Sequence, residues 1–559
     1  MSETPGQAAH RAEPAAIDRA FRWVLAAALI ALLFYAAVQR FSLPLTPVLD
    51  PDSPGYLNPA LSQLSGHGFQ QTQGRPFLYP TLVLGLLNAT GDLRSIVVAQ
   101  HVASLLTAIA WMGIWLVWSS FLPPGWVRRF LVPLIGLASA GFYLASAEPV
   151  LFGLQVRPEA VFPLAAALQI LCLMVFIKAR WPGTDQPNAG LAIAAGIGAM
   201  VFTAAAYNLK PSWGFAVLLT PLVLGLGILF RPSELSAARA AVPLASGCIV
   251  ALILLAAVPA ALHWKRDEAS KSFLAMNLFA VHANIISDYL QGEVEAGRGG
   301  PEEAEFSGRL RTGIQESRNH LGSYALLGHN PDYLMYGSQA LARIPNVSTV
   351  KERRDYYFRT LFLSMAHFPG RYVAKWFVQL RAAAFQDPKY FSRASAHLNK
   401  LYSASMPLSS AQYPDLRPDL AGSLARTAQE TTELAYTLPA TRDLGPKWLK
   451  KAGEVAATLY PASLIAGLIL LAASPRFFPD HLRAVLAASL VSAAAFLSAM
   501  TVAFVHSFDI SRYLSLQSWL AWLVISCWAA VALSLAESRL RRQFHAANSG
   551  GEKAVNEPL

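Results

Sequence analysis

Residues 241–262 read AVPLASGCIVALILLAAVPAAL, an uninterrupted run without a charged side chain. A helix of about 20 apolar residues is long enough to cross the hydrocarbon core of a bilayer. Further runs of similar character occur along the chain, at 23–39, 95–119, 130–146, 159–177, 189–207, 214–230, 456–473, 484–505 and 514–535. The sequence therefore predicts an all-α polytopic membrane protein with about ten transmembrane helices.

The composition of the whole chain agrees with a bilayer as its main solvent. Of its 559 residues, 54% are hydrophobic and only 14% are charged, which is more apolar than a soluble globular protein. The net charge is +11, but the cations are spread over short loops, so no nucleic acid partner is expected. Cys172, Cys248 and Cys527 lie within apolar runs without CxxC spacing, so we expect neither a disulfide framework nor a zinc site.

Arginine and lysine are concentrated in every second connection between the predicted helices. They are Arg11, Arg19, Arg22, Arg128, Arg129, Lys178, Arg180, Arg231, Arg239, Arg476, Arg483, Arg539, Arg541, Arg542 and Lys553. Positively charged loops stay on the cytoplasmic side of a membrane. The alternation therefore predicts a multi-pass protein of the plasma (inner) membrane with both termini in the cytoplasm.

Two connections on the predicted outer side are too long to be turns. Residues 40–94 contain helical apolar patterns too short to span, the first with Ser53 as predicted N-cap, so we expect interfacial helices there. Residues 263–455, here called the middle domain, mix charged and aromatic amphipathic stretches, which predicts a mostly helical extracytoplasmic domain. The middle domain then separates a transmembrane module of seven helices (1–262) from one of three helices with a cytoplasmic tail (456–559).

Several cations on the predicted outer side stand in compact polar clusters. They are Arg75, Arg157, Lys210 and Arg512, in the motifs Gly74-Arg75-Pro76, Arg157-Pro158-Glu159, Asn208-Leu209-Lys210-Pro211 and Asp509-Ile510-Ser511-Arg512-Tyr513. Cations that converge at one membrane face are typical of a phosphate site. Arg40 and Arg94, at the ends of predicted helices, are instead expected to reach lipid headgroups.

Two aspartates directly after the first predicted helix are the candidate acids. Asp50 and Asp52 occur in the stretch LDPDSPGY (49–56), where a carboxylate would lie at the water interface. The same pattern is common at helix starts, so a purely structural role stays open. The two carboxylates are also compatible with a divalent cation, although without a third ligand they indicate a metal site only weakly.

These residues resemble the first outer loop of glycosyltransferases of the C-type (GT-C) fold. That superfamily includes protein O-mannosyltransferases, lipid A aminoarabinose transferases and family-39-like bacterial membrane transferases. Its members have an acidic residue after the first helix, often in an Asp-Glu-x-x-Tyr pattern, and then a basic-Pro-Pro-Leu-Tyr-like motif. Here Asp52 and Tyr56 fit the first pattern, with Ser53 in place of the second acid. Gly74-Arg75-Pro76-Phe77-Leu78-Tyr79-Pro80 fits the second, with Phe77 in place of a proline.

Two later stretches carry the resemblance further. Glu148-Pro149 and Arg157-Pro158-Glu159 are similar to the second outer loop of the superfamily, and Asp509-x-x-Arg512-Tyr513 is similar to the Arg-Tyr before a late helix. The resemblance implies a membrane glycosyltransferase that takes a sugar from a polyprenyl-phosphate donor. Its acceptor would be a cell-envelope glycan, a lipid or a protein outside the cytoplasm.

The chemistry of such a transfer explains the residue types. The acceptor hydroxyl must lose a proton, so Asp52 is the expected general base and Asp50 the neighbouring candidate. The leaving phosphate needs fixed cations, for which the candidates are Arg75, Arg512, Lys210 and Arg157. One base and an intact lipid phosphate as leaving group imply inversion at the anomeric carbon. Further candidate site residues are Tyr56, Tyr79, Glu159 and Tyr513.

The predicted site has a geometric requirement and several competing functions. We expect Asp52, Arg75 and Arg512 to line one cavity. An O-antigen ligase or polymerase would instead depend on residues in 263–455, and an assembly factor would need no such cavity. A lipid-linked-sugar flippase or transporter is the remaining alternative, although the predicted helices contain no ionisable group except Glu159 at one edge.

Overall fold

The computed structural model describes residues 5–71, 74–181, 187–231, 235–265, 268–385, 395–407, 413–508 and 511–553. These residues are helical almost throughout, which confirms the predicted all-α polytopic class. Two short strands in the described part of the chain, β1 (Ser395–Ala396) and β2 (Arg442–Asp443), pair in antiparallel fashion.

The N-terminal part of the chain contains six long apolar helices and several shorter ones. The helices are α1 (Pro5–Phe41), α2 (Pro54–Leu64), α3 (Leu78–Thr90), α4 (Arg94–Ser119), α5 (Val132–Ala145), α6 (Ala147–Leu154), α7 (Phe162–Arg180), α8 (Ala189–Leu209), α9 (Leu219–Leu229) and α10 (Ala237–Ala261). The apolar stretches of α1, α4, α7, α8 and α10 are long enough to cross a membrane, and so is α5 together with the π-helical turn Val127–Leu131 that precedes it. The short helices α2 and α3 lie where the sequence predicted helices too short to span.

The middle domain is helical and is followed by three more long apolar helices. Its helices are α11 (Glu268–Val281), α12 (Ala283–Glu295), α13 (Pro301–Ser317), α14 (Val350–His367), α15 (Pro369–Phe385), α16 (Leu398–Ser403) and α17 (Pro418–Thr437). The long helices are α18 (Trp448–Phe477), α19 (Leu482–Val505) and α20 (Ser511–Lys553), which brings the described residues to nine candidate spans. α11 and α12, bent by 83° at their junction, are together apolar enough for a broken span or a re-entrant loop.

The prediction of one long helix over 214–230 is wrong. Two 3-10 turns precede the short helix α9, because Pro211 lacks a backbone N–H and Gly214 is a poor helix former. The segment nevertheless runs along the whole of α7. At its start Lys210 bonds to Glu159 just before α7, and at its end the Phe230 carbonyl accepts the indole N–H of Trp181 just after α7.

Contacts at one end of the bundle join the connections that the sequence predicted to be cytoplasmic. Arg129 pairs with Asp18 at the start of the apolar stretch of α1, and the Glu537 carboxylate accepts the backbone N–H of Trp126 at 2.8 Å. Arg541 bonds to the same carboxylate at 2.6 Å. The basic connections therefore meet at one face, here called the basic face, and the candidate residues around Asp52 lie at the opposite face.

Arg40 and Arg94 do not reach toward lipid headgroups as expected. Arg40 is fully buried and donates a hydrogen bond to the carbonyl oxygen of Leu144 at 3.1 Å. Arg94 pairs with Glu430 of α17, and the Glu430 carboxylate also accepts the Thr46 hydroxyl at 2.5 Å. Arg40 thus links the end of α1 to the end of α5, and Arg94 links α4 to the middle domain.

The two largest apolar cores among the described residues hold these parts in place. The larger core contains Trp111 and Trp115 of α4, both fully buried, and extends to Leu57 and Leu61 of α2. A second core within the middle domain is built around Phe279 and its neighbours on α11 to α14. The loop that carries Asp52 is therefore anchored to the membrane helices by α2.

Candidate functional site

The side chain of Asp50 organises the loop before α2. Its Oδ1 accepts the backbone N–H groups of Asp52 at 3.0 Å and of Ser53 at 2.9 Å. The prediction that Ser53 caps α2 is wrong, because its backbone is already helical and its hydroxyl bonds to Asp50 and to the Val156 carbonyl. Asp50 therefore shapes the loop, and the Asp52 side chain is left for other partners.

Asp52 contacts three guanidinium groups from distant parts of the chain. Arg75 bonds to its Oδ1, Arg512 bonds to its Oδ2, and Arg157 approaches Oδ2 at 3.4 Å. Arg157 also pairs with Asp50. Asp52 and Arg512 are 460 residues apart in sequence. The fold therefore brings together two residues that the sequence linked only through their expected chemical roles.

Burial and these cations act on the Asp52 carboxyl in opposite directions. Burial by itself would raise the pKa of this carboxyl, but the positive charges of Arg512, Arg75 and Arg157 outweigh it. The pKa of Asp52 therefore lies below its usual range. The group is a carboxylate at physiological pH, and it is a weak base while the arginines hold it.

A second ion pair adjoins the first. Lys210 donates from Nζ to Oε1 of Glu159 at 2.6 Å, and only 8% and 2% of the two side chains are exposed. Arg157 lies 3.9 Å from the other Glu159 oxygen and so joins both pairs. Burial lowers the pKa of Lys210 to about 8, with Glu159 opposing that shift. Lys210 is therefore a cation that begins to lose its charge just above neutral pH.

Arg75, Lys210 and Arg512 line a cavity of about 590 Å³. Two of the predicted tyrosines line it as well. The Tyr56 ring lies 5.0 Å from the guanidinium carbon of Arg75, and the Tyr513 ring lies 5.0 Å from Nζ of Lys210. Each aromatic face thus steadies a cation and still borders the cavity.

Five predicted site residues, one of them Tyr79, are not among the described residues that line this cavity. The other four are Asp50, Asp52, Arg157 and Glu159, which belong to the ion-pair network behind the lining cations. The expectation that Asp52 itself lines the cavity is therefore not met. Tyr79 is also directed elsewhere, since its buried hydroxyl bonds to Gln100 at 2.6 Å, so it packs the core and does not stack on a ligand.

The arrangement places several cations, two aromatic rings and a charged carboxylate at one face of an apolar helix bundle. Comparison with protein-family models, curated proteins and solved structures found no match. The function is therefore argued from the site itself. Within the described residues, no three His, Cys, Asp or Glu side chains come close enough together to hold a metal ion. Asp509 and Ile510, which precede Arg512, lie outside the described residues.

The middle domain supplies part of the cavity wall that sequence reasoning did not assign. Trp264 and Lys271 line it, and the N–H of Gly74 donates to the Ser270 hydroxyl at 2.8 Å. His506 lines it too, and burial, reinforced by neighbouring cations, lowers the pKa of His506 to about 3, so its ring is neutral. No sequence signal marked Trp264, Ser270 or Lys271, because nearly 200 positions separate the first loop from α11.

Proposed function

We propose that the chain is an integral membrane glycosyltransferase that moves a sugar from a polyprenyl-phosphate donor to an extracytoplasmic acceptor. The observation that carries the proposal is the contact of Asp52 with both Arg75 and Arg512 at the wall of the 590 Å³ cavity. Transfer from a phosphate-linked sugar needs a group that accepts a proton and cations that hold the departing phosphate. Apolar side chains of Leu255 and Leu274 in the same wall suit the lipid part of such a donor.

The proposed chemistry begins with competition for the arginines. A donor phosphate attracts Arg75 and Arg512, which otherwise hold Asp52. As these cations turn to the phosphate, the pKa of the Asp52 carboxyl rises and the carboxylate becomes a stronger base. Donor binding would thus prepare the base, and Asp52 would be weak whenever no phosphate competes.

The transfer itself balances without a covalent enzyme intermediate. The acceptor oxygen attacks the anomeric carbon and gives its proton to Asp52. The bond between the anomeric carbon and the phosphate oxygen breaks, and its electron pair leaves with the lipid phosphate, which Arg75, Arg512 and Lys210 stabilise. Attack from the side opposite the leaving group inverts the anomeric configuration.

A flippase or transporter for lipid-linked sugars is the second candidate. It is favoured by Glu159 and Lys210, because buried ionisable groups at the membrane level are typical of coupled transport. The two candidates differ in product. A transferase breaks the sugar–phosphate bond, whereas a flippase returns the donor chemically unchanged on the other side of the membrane.

The test uses purified protein in lipid vesicles with a labelled polyprenyl-phosphate sugar, together with cells that lack the gene. The proposal expects free polyprenyl phosphate and a new sugar–acceptor bond in vitro. In cells it expects a lost surface sugar and an accumulated donor, both corrected by the wild-type gene and not by Asp52→Asn. Donor movement without bond cleavage would favour the flippase. Activity that depends on 263–455 and survives Asp52→Asn would favour an O-antigen ligase or polymerase.

A further inference from the structure

A second cavity, of about 340 Å³, lies in the middle domain. It is bordered by α12, α15 and the segment around residues 326–329, and it shares no described lining residue with the first cavity. Two cations line it, Lys375 and Arg371, and none of its described lining residues is acidic. Its lining is therefore basic, with no acidic side chain among the described lining residues.

The Lys375 amine is held by uncharged partners. It donates to the carbonyl oxygen of Val281 at 2.8 Å and to Nδ1 of His282 at 2.9 Å. The other ring nitrogen of His282 donates to the Phe504 carbonyl at 2.9 Å, so this imidazole is neutral. An ammonium group has three N–H donors, and these two bonds leave one of them for a ligand in the cavity.

Two further polar groups of the cavity wall are His329, which is neutral, and Arg371, which is charged and paired. Nε2 of His329 donates to the Ala280 carbonyl at 2.8 Å, and burial lowers the pKa of His329 to about 4, so this ring is neutral as well. Arg371 is half exposed and pairs with Asp288 at 2.7 Å on its solvent side. In the described chain no carboxylate pairs with Lys375, so the charge of a protonated Lys375 is not compensated.

We propose that this cavity binds a phosphate group through Lys375 and Arg371. A buried charge without a partner is costly, and an anion in the cavity would supply the partner. Burial lowers the pKa of Lys375 well below its ordinary value, and a bound anion would favour the ammonium form again. The proposal is independent of the transferase function, because it rests on neither Asp52 nor its arginines.

Two sources of phosphate share this chemistry, the headgroup of an anionic phospholipid and free inorganic phosphate. Exposed apolar side chains on α15 adjoin the cavity: Val378 in its lining, and Val373 and Phe377, 58% and 68% exposed, beside it. α15 also packs against the long apolar helices α18 and α19. A phosphate next to an apolar surface that continues onto membrane helices is the arrangement of a lipid headgroup, and the experiment separates it from the free anion.

The test measures how fast Lys375 reacts with an amine-labelling reagent, read by peptide mass spectrometry on the full-length protein. One arm uses phosphatidylcholine vesicles with added phosphatidylglycerol of the same acyl chains, and the other uses phosphatidylcholine vesicles with inorganic phosphate. At a ligand concentration ten times Kd, occupancy should slow labelling of Lys375 about tenfold. Lys351, an exposed lysine on α14, is the internal reference and should keep its rate.

Protection by phosphatidylglycerol alone assigns the site to a lipid headgroup, and protection by inorganic phosphate assigns it to a soluble anion. Absence of protection in both arms, or equal protection of Lys351, overturns the proposal.

Arg371→Gln should weaken protection several-fold. Arg381→Gln removes an exposed cation of the same helix outside the cavity and should not. If both substitutions act equally, the effect is one of general surface charge and the proposal fails. Because the readout is the labelling rate of Lys375 relative to that of Lys351, and neither lysine lines the larger cavity, binding there does not affect the result.

Discussion

Two polar regions of this protein differ in how they balance buried charge. The first, the Asp52 cluster, comprises three carboxylates (Asp50, Asp52, Glu159) and four cations (Arg75, Arg157, Lys210, Arg512) joined by ion pairs. The second, the Lys375 cavity, holds a lysine whose described partners are uncharged. An anion that enters the first region must displace a carboxylate, whereas in the second it meets a lysine with no described carboxylate partner to displace. Only the first arrangement can convert binding into activation of a base.

The largest expected effect comes from removing the carboxylate that makes the two regions different. Asp52→Asn keeps the shape of the side chain but removes the carboxylate that pairs with Arg75 and Arg512. The two arginines would then lack a carboxylate partner, as Lys375 does. Turnover should fall by about 10² to 10⁴, because the proton acceptor is lost, while donor binding should hold or tighten. Donor binding and single-turnover transfer on purified protein in lipid measure the two quantities separately.

Asp50→Asn is the matched control for this carboxylate. An asparagine oxygen can still accept the N–H groups of Asp52 and Ser53, so the loop should keep its shape, and only the pair with Arg157 is lost. We expect a much smaller loss of turnover. An inactive Asp50→Asn beside a fully active Asp52→Asn would move the base by two residues. Full activity of both would end the interpretation of this loop as catalytic.

A smaller effect is expected from removing one cation of the cluster. Arg75→Ala or Arg512→Ala takes away a group that would pair with phosphate before and during transfer. Charge-assisted hydrogen bonds contribute roughly 1.5–3 kcal/mol, so donor affinity should weaken about ten- to a hundredfold, with turnover falling as well. Equilibrium binding of the donor to both variants checks this. Unchanged donor affinity would mean that the arginines serve only to position Asp52.

The cluster should also respond to pH through Lys210. Its pKa of about 8 means that the amine is charged below that value and neutral above it. Donor affinity should therefore be full near pH 6.5 and fall by about three- to tenfold as pH rises through 8, since a neutral amine still donates a hydrogen bond. Lys210→Arg keeps the charge and should flatten the profile between pH 6.5 and 9.5. A wild-type profile that is already flat would remove Lys210 from phosphate binding.

The smallest expected effect concerns the backbone that presents Arg75. Gly74 has φ of +69°, and a Cβ there would come within 2.9 Å of the Phe273 ring. Gly74→Ala should destabilise the fold by about 1–2 kcal/mol and reduce donor affinity several-fold. Gly85→Ala, inside α3 with no atom within 4 Å, should leave donor affinity unchanged and stabilise the helix by up to about 1 kcal/mol. Thermal unfolding in detergent and donor binding compare the pair.

The sequence predicted best what depends on composition and least what depends on side-chain partners. Most long apolar runs became long helices because any run of that length and polarity favours a span. Position alone suggested that Arg40 reaches lipid, but the Leu144 carbonyl, more than 100 positions away, accepts its hydrogen bond. Ser53 failed as a cap for a similar reason, since its hydroxyl bonds instead to Asp50 and to the Val156 carbonyl, more than 100 positions away.

The sequence predicted the residue types of the candidate site, but not which of its side chains line the cavity and which lie behind them. Outward cations and carboxylates in compact motifs identified Asp52, Arg75 and Arg512, but a motif does not say which side chain faces a cavity. Asp52 lies behind its arginines, and Tyr79 faces Gln100 in the core. Lys375 had no signal at all, because a lysine on an amphipathic helix is ordinarily solvated.

The sequence separation between Asp52 and its three arginines also sets the order in which the Asp52 cluster can form during synthesis. A ribosome completes Asp52 and Arg75 early, adds Arg157 later, and makes Arg512 460 residues after Asp52. At 5–20 residues per second that delay is about 20 to 90 s. During this time the carboxylate can pair with Arg75 and Arg157 but not with its third arginine. A chain that stops before α20 would therefore insert most of its helices in the membrane and still lack a complete Asp52 cluster.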